Sequence, residues 1–226
     1  MENKYFSEIY QLAQDYDKYW HRRYYEVHVR GGRYCKNFND YYQQELERRN
    51  RAAEKYNDPN RVISEEKQKM IRDAITFEKV VKKDGIEFSI FTHKQKRYKD
   101  LGSLEDLLLG KKIKTRACTI YVTSVITCYE EKVGEYYKTA TVENMFSSIA
   151  KSKATAQKDF EKTCEMIDNS TCEEIINKFK NEIKKNKINC KKRFEEELEE
   201  KKKQKELLKK ELEEIRRKRE IEKSKK

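Results

Sequence analysis

IKTRACTIYVTSVITCY, residues 113–129, is the stretch that decides the fold class. It is dominated by β-branched residues, and apolar side chains occupy both odd and even positions. β-branched side chains favour extended backbone, and a strand with two apolar faces is typical of the middle of a sheet. The stretch therefore predicts a central β-strand that is either buried on both faces or interrupted by a bulge.

Strand partners are expected on both sides of this stretch. Ile86, Phe88 and Ile90 alternate with polar residues, which predicts a strand with one buried face. Residues 136–142 follow a turn at Gly134 and supply a returning strand. Together the three segments predict an antiparallel sheet of three or more strands.

Segments whose apolar residues have helical spacing lie before and after the predicted strands in the sequence. They cover residues 4–20, 40–56, 64–83 and 143–168, and Gly85 is a suitable stop for the third of these helices. Ser103 and Asp106 predict the start of a short helix through Leu109. Near the amino end, apolar and polar residues alternate over residues 24–30, and Gly31-Gly32 follows as a turn. This segment predicts a small β-hairpin reaching residue 35.

The last part of the chain predicts one long, charged helix. Ser170 and Glu173 form a capping signature, and no Gly or Pro follows to about residue 222. A helix of about 50 residues would be about 75 Å long. Residues 191–226 contain 16 basic and 11 acidic residues, with Glu and Lys often four apart, as in a helix stable alone in water.

A weak coiled coil is an equal alternative for this helix. One frame of four- and three-residue steps contains the apolar positions Phe194, Leu198, Leu208, Leu212 and Ile215. The same frame places Lys201, Lys205 and Arg219 at the seam, which weakens any dimer. These five apolar residues are the predicted partner-binding positions.

The predicted fold class is α+β, a small antiparallel sheet packed with several helices and followed by the long charged carboxy-terminal helix. A globular domain over 1–170 would combine a helical layer and hairpin (1–85) with the sheet and its helix (86–170). Residues 171–226 would form the helix.

Composition indicates an anionic partner and a reducing compartment. The 226 residues carry a net charge of +12, from 53 basic and 41 acidic side chains. The six cysteines include no CxxC pair, and no stretch approaches the ~18 apolar residues of a membrane span. We therefore expect a cytoplasmic protein without membrane association.

Abundant Lys, Ile, Asn and Tyr with a single Pro are typical of an AT-rich genome and suggest a viral or phage protein.

Two clusters combine basic and aromatic residues, as surfaces that bind nucleic acid do. The first lies around residues 20–38, and the second is KQKRYK at 94–99. The candidate nucleic-acid-binding residues are Arg22, Arg23, Tyr24, Tyr25, Arg30, Arg33, Lys96 and Arg97. The alternative is that the rings of the first cluster pack in a core and that the second cluster is a solvated loop.

No pattern indicates a catalytic residue, a metal site or a cofactor. His21, His28 and Cys35 recur every seven residues, but Gly31-Gly32 interrupts the helix that would align them. Six glycines in the whole chain leave little room for a phosphate-cradling loop.

The leading hypothesis is a non-enzymatic structural or interaction protein that docks into a larger assembly and contacts a protein partner with its long helix. The alternative is a nucleic-acid-binding protein. The sequence does not indicate an oligomeric state.

Overall fold

The structure is a computed structural model that describes residues 3–32, 34–56, 64–100, 115–133 and 135–224. A π-helical segment, Tyr25–Val29, follows the first helix directly. The regular elements are α1 (Lys4–Tyr24), α2 (Phe38–Tyr56), α3 (Glu65–Ala74), β1 (Ile75–Lys83), β2 (Ile86–Asp100), β3 (Thr115–Val133), β4 (Tyr136–Val142), β5 (Ser147–Ala150), α4 (Lys153–Asn169) and α5 (Cys172–Ser224).

The chain divides into two compact units. The sheet unit contains residues 1–14 and 58–182, and the helical unit contains residues 15–57 and 183–226. The predicted α+β class is confirmed, with an antiparallel sheet, several helices and a long carboxy-terminal helix. The boundary predicted at residue 170 stays a prediction, and the helix expected at 103–109 lies outside the described residues.

The sheet is antiparallel throughout and has the order β1-β2-β3-β4, with β5 also paired to β3. β3 is central, as its β-branched sequence predicts, and β2 pairs with it from Ile86–Tyr129 to Asp100–Thr115. β4 pairs with β3 from Thr127 to Val133. β5 pairs with β3 from Tyr121 to Ser124, farther along the same edge.

β1 replaces the second half of the helix expected over 64–83, so that prediction is wrong beyond Ala74. Asp84 and Gly85 have φ angles of 49° and 76° and form a two-residue connection between Lys83 and Ile86, which are register partners. Asp-Gly is a preferred sequence for such hairpin turns because both positions require positive φ. Gly85 therefore closes a hairpin instead of ending a helix.

One face of the sheet forms the core of the sheet unit. Ile86, Phe88 and Ile90 are fully buried on β2, and Val125 is fully buried on β3. α4 packs on this sheet, with the Phe77 and Phe160 rings 5.5 Å apart. The core also contains residues from the first turns of α1 and α5, namely Phe6, Ile9, Ile175, Ile176 and Phe179.

α4 begins ten residues later than the helix expected over 143–168. Residues 147–150 pair with β3 as β5, and Met145 N donates to Val125 O at 3.0 Å. The Ser152 side chain then caps α4 by accepting a hydrogen bond from Thr155 N. Backbone groups before Ser152 are thus used by the sheet, so they are not available to a helix.

A reciprocal capping box starts α5. Thr171 N donates to Glu174 Oε2 at 2.8 Å, and Glu174 N donates to Thr171 Oγ1 at 3.3 Å. The capping residues are therefore one position later than the Ser170 and Glu173 predicted from sequence. The hydrogen bond from the Thr171 backbone lowers the pKa of the Glu174 carboxyl.

The helical unit contains helix over residues 24–29, where the first strand of the β-hairpin expected over 24–35 would lie. α1 continues into the π-helical segment, and Arg30 N donates to Tyr25 O at 2.8 Å. The Tyr24 and His28 rings, four residues apart, have centroids 4.5 Å apart. The hairpin prediction is wrong because ring contacts at helical spacing are available to these residues, and they override a short alternation of apolar and polar side chains.

Candidate nucleic-acid interface

The rings of the first predicted cluster are packed inside the helical unit. Trp20 stacks on Tyr24 at 5.3 Å and meets Phe194 edge-on at 6.1 Å. Tyr25 is buried and contacts the rings of Phe38 and Tyr41. Tyr24 and Tyr25 therefore hold the unit together, which leaves little of their faces for stacking on bases.

The arginines of this cluster are only partly available. Arg22 lies 3.8 Å from Glu26 and over the Phe38 ring at 5.2 Å, and Arg23 is 3.5 Å from the same carboxylate. A hydrogen bond to Tyr19 raises the pKa of the Arg23 guanidinium. Arg22, Arg30 and Lys36 help to line an open cavity of about 400 Å³. Arg33 lies outside the described residues.

The second cluster, at 94–99, is part of a strand. Residues 94–100 of β2 pair with residues 115–121 of β3, and both segments continue the hairpin of the sheet. β1 pairs with β2 only as far as His93, and β5 pairs with β3 only as far as Tyr121. In the described part of the chain, no third strand lies beside residues 94–100 or 115–120. We call this two-stranded segment the basic ribbon.

The basic ribbon is mostly exposed and positively charged. Its sequence contains five basic residues and one acidic residue, Asp100. Lys94, Lys96, Arg97 and Arg116 are all exposed, and none of them forms a salt bridge with any residue that the structure describes. Like charges on a narrow ribbon repel one another, so an anion placed on it would be stabilised.

Strand pairing distributes these side chains over two faces. Paired residues of an antiparallel ladder share a face, and alternate residues change face. Lys94, Lys96 and Tyr98 are on one face with Thr119, which pairs with Lys96. Gln95, Arg97 and Arg116 are on the other face with Cys118, which pairs with Arg97. Both faces therefore carry cations.

The two predicted clusters belong to different compact units. Arg22, Arg23 and Arg30 are in the helical unit, whereas Lys96 and Arg97 are in the sheet unit. Each cluster must be assessed alone as a binding surface. The ribbon has the larger number of exposed cations without a described carboxylate partner, and Arg116 adds a cation that the sequence did not indicate.

The predicted partner-binding residues of α5 differ in their surroundings. Phe194 is buried, and the Leu198 side chain is 39% exposed. Lys201, a predicted seam residue, donates from Nζ to Val27 O at 2.8 Å. Leu208 and Leu212 are exposed at 57% and 51%, with Leu207 beside them at 59%. The side chain of Ile215 is outside the described part.

The two histidines of the seven-residue spacing, His21 and His28, have partners within the helical unit. His21 Nδ1 is 3.1 Å from the Tyr41 hydroxyl, and His28 Nε2 is 2.8 Å from Glu197 Oε2. Within the described ranges, no group of three or more His, Cys, Asp or Glu side chains is arranged to hold a metal ion.

The chain was compared with protein-family models, curated proteins and solved structures, and none of them matches it. None of the helices in the described ranges is long and apolar enough to span a bilayer. Function must therefore be inferred from the chemistry of the surfaces themselves.

Proposed function

We propose that this chain is a non-enzymatic nucleic-acid-binding protein and that the basic ribbon is its contact surface. The observation that carries the proposal is the exposure of Lys94, Lys96, Arg97 and Arg116 on both faces of a two-stranded segment with no third strand among the described residues. Such a segment can approach a polyanion with cations on either side, and phosphate contacts supply most of the affinity in nonspecific binding.

Burial supports a difference in role between the ribbon and the rest of its hairpin. Phe88, Ile90 and Thr92 are fully buried on β2, but every residue from Lys94 to Tyr98 is exposed. On the β3 strand of the ribbon, residues 116–119 are exposed and Ile120, the partner of Gln95, is buried, so the ribbon contributes one described side chain to the core. A competing explanation is that its charges only protect two open strand edges from aggregation.

The test is binding of the full chain to labelled duplex and single-stranded oligonucleotides over a salt series, measured by fluorescence anisotropy. We expect binding at ~50 mM salt that weakens steeply as salt increases. Lys96→Ala with Arg97→Ala should reduce both the affinity and the salt slope, because two phosphate-neutralising cations are removed.

The matched control is Lys191→Ala with Lys192→Ala, which removes two exposed cations from α5. Its affinity should stay within a factor of about two of the wild type. Equal losses in the two double variants would show that net charge alone matters and would contradict a localised site. Aggregation of the ribbon variant without a loss of affinity would support the role in edge protection.

A second candidate function is a protein contact through the end of α5, and the exposure of Leu207, Leu208 and Leu212 favours it. Within the helical unit, Phe194 contacts Trp20 and Lys201 contacts Val27, and Leu208 follows them at the same heptad position. A stripe used for packing up to Lys201 thus continues as an exposed stripe.

A second copy of the chain is the partner we propose for this stripe. In a parallel pair, the heptad places Glu211 opposite Arg216 of the other copy, which is a favourable charge pair. Sedimentation equilibrium should show weak, concentration-dependent dimerisation that Leu208→Ser with Leu212→Ser abolishes. A wild-type chain that stays monomeric at ~200 μM would contradict this second candidate.

A cytoplasm-like compartment is part of the proposal. All six cysteines are free thiols. Burial raises the pKa of the Cys164, Cys172 and Cys190 thiols, and that of Cys172 reaches about 12. Thiols of this kind are unreactive small core groups, which suit a reducing environment.

A further inference from the structure

We infer that the basic ribbon binds duplex DNA of B form in its major groove, with Gln95, Arg97 and Arg116 facing the base edges. The inference rests on the proposed nucleic-acid function and specifies its substrate. Three properties of the ribbon lead to it: its width, its shortage of aromatic rings and the different residue types on its two faces.

Width restricts the duplex groove that the ribbon can enter. Neighbouring strands lie about 4.8 Å apart, and a two-stranded ribbon fits the major groove of B-DNA, about 12 Å wide. The minor groove, about 6 Å wide, is too narrow for two strands with their side chains. The major groove of an A-form RNA duplex is deep and narrow, so side chains cannot read it. B-form DNA is the duplex that the ribbon fits.

Single strands are a poorer match because they require stacking platforms. Proteins that bind single strands place successive bases on aromatic side chains. The ribbon contains two aromatic residues, Tyr98 and Tyr121, and they lie four pairs apart along the ladder. In the helical unit, Trp20 and Tyr24 stack on each other, and Tyr25 packs against the rings of Phe38 and Tyr41. Neither surface provides a row of free rings.

The face with Gln95, Arg97 and Arg116 has the side chains that read bases. Arginine pairs in a bidentate way with guanine, and glutamine does so with adenine. Gln95 Nε2 also donates to His93 Nε2 at 2.7 Å, which orients the amide. Cys118, which pairs with Arg97 on this face, is a small residue, so the backbone can approach the groove closely there.

The opposite face has the side chains that bind phosphate without reading sequence. Lys94 and Lys96 are point charges on long flexible stems, and a lysine stem can reach the phosphates flanking a groove. The five residues 94–98 extend about 16 Å, which corresponds to about five base pairs along the groove.

The experiment compares the full chain bound to a 20-base-pair DNA duplex, the RNA duplex of equal sequence and each single strand, all at ~100 mM salt. We expect the DNA duplex to bind at least tenfold more tightly than the others. Bulky major-groove modifications on the bases should remove that advantage, and a minor-groove ligand should leave it intact.

Charge-preserving variants separate reading from phosphate binding. Arg97→Lys keeps the cation but loses the planar fork, so discrimination between preferred and scrambled duplexes selected from a random library should fall roughly 5- to 150-fold. Lys94→Arg with Lys96→Arg is the matched control, and its discrimination should match the wild type.

Two results would overturn the inference and leave the proposed function standing. One is equal affinity for DNA and RNA duplexes, and the other is unchanged discrimination in Arg97→Lys. Absence of binding to every oligonucleotide at ~50 mM salt would overturn the inference and the proposed function together.

Discussion

The two halves of the β2–β3 hairpin share one register and differ completely in their surroundings. The inner half, residues 86–93 with 122–129, has Phe88, Ile90 and Val125 fully buried and has further strands on both sides. The basic ribbon extends the same ladder, and its described side chains are mostly exposed and include four cations, Lys94, Lys96, Arg97 and Arg116. The difference shows that continuous strand pairing can serve a core at one end and a contact surface at the other.

The largest expected effect is on the inner half. Phe88→Ala removes a fully buried ring and leaves a cavity, so the free energy of unfolding should fall by about 3–5 kcal/mol in urea titrations. Tyr98→Ala, on the same face but 68% exposed, should change it by less than about 0.5 kcal/mol. Similar losses in the two variants would contradict the division of the hairpin.

A smaller effect is expected where the inner half ends. Thr92 and Thr123 are buried cross-strand partners with hydroxyls 2.8 Å apart. Thr92→Val leaves the Thr123 hydroxyl without this partner and should cost about 1–3 kcal/mol. The double variant Thr92→Val with Thr123→Val should recover most of that loss in a double-mutant cycle. No recovery would show that the hydroxyl pair does not mark the end of the core.

Acid should act on the helical unit before it acts on the hairpin. Burial lowers the pKa of His21 against the opposing effect of Asp17, and Arg49 lowers it further, with Glu45 and Arg48 also nearby. Neutral His21 therefore contributes stability that is complete above the unfolded pKa of about 6.5 and is lost as pH falls through the lower folded pKa.

The measurement for this pH effect is urea unfolding between pH 7.5 and 5, with His21→Gln as the control for a side chain that does not titrate. The wild type should lose stability over this range, and His21→Gln should lose less. Hydrogen exchange should place the acid-induced opening in α1 and α2. Opening of β2 and β3 first would contradict the assignment.

The smallest expected effect concerns ribbon charge. Lys94→Gln with Lys96→Gln removes two cations from one face, so the free energy of unfolding should stay within about 0.5 kcal/mol or rise slightly at low salt. High salt should abolish any rise, because it screens exposed charges. A large loss would mean that the lysines have a structural role.

Sequence patterns predicted the sheet more accurately than its edges. The β-branched run 113–129 identified the central strand because the run is long and its apolar residues on both faces are typical of a strand in the middle of a sheet. Asp84-Gly85 is a strong hairpin signal, but Val81 and Phe77 also fit helical spacing, which concealed β1. Local periodicity is ambiguous in short apolar segments, and pairing across the hairpin resolved it.

The candidate sites were harder to predict because exposure depends on tertiary packing. Tyr24, Tyr25 and Phe194 have residue types common in binding surfaces, yet neighbouring rings enclose them. Arg116 gave no signal in isolation, because only the strand register places it on the face that carries Arg97. Residue type indicated which side chains could bind an anion or a base, and strand register and burial decided which of them are exposed to do so.

The most direct test of the central claim is a map of backbone amide chemical shifts in the full chain with and without a 20-base-pair DNA duplex. We predict shifts concentrated at residues 94–98 and 116–119, with the buried amides of 86–92 unchanged. Shifts centred on the arginines of residues 22–30 or on the exposed leucines of α5, with the ribbon unaffected, would contradict the claim that the basic ribbon is the contact surface.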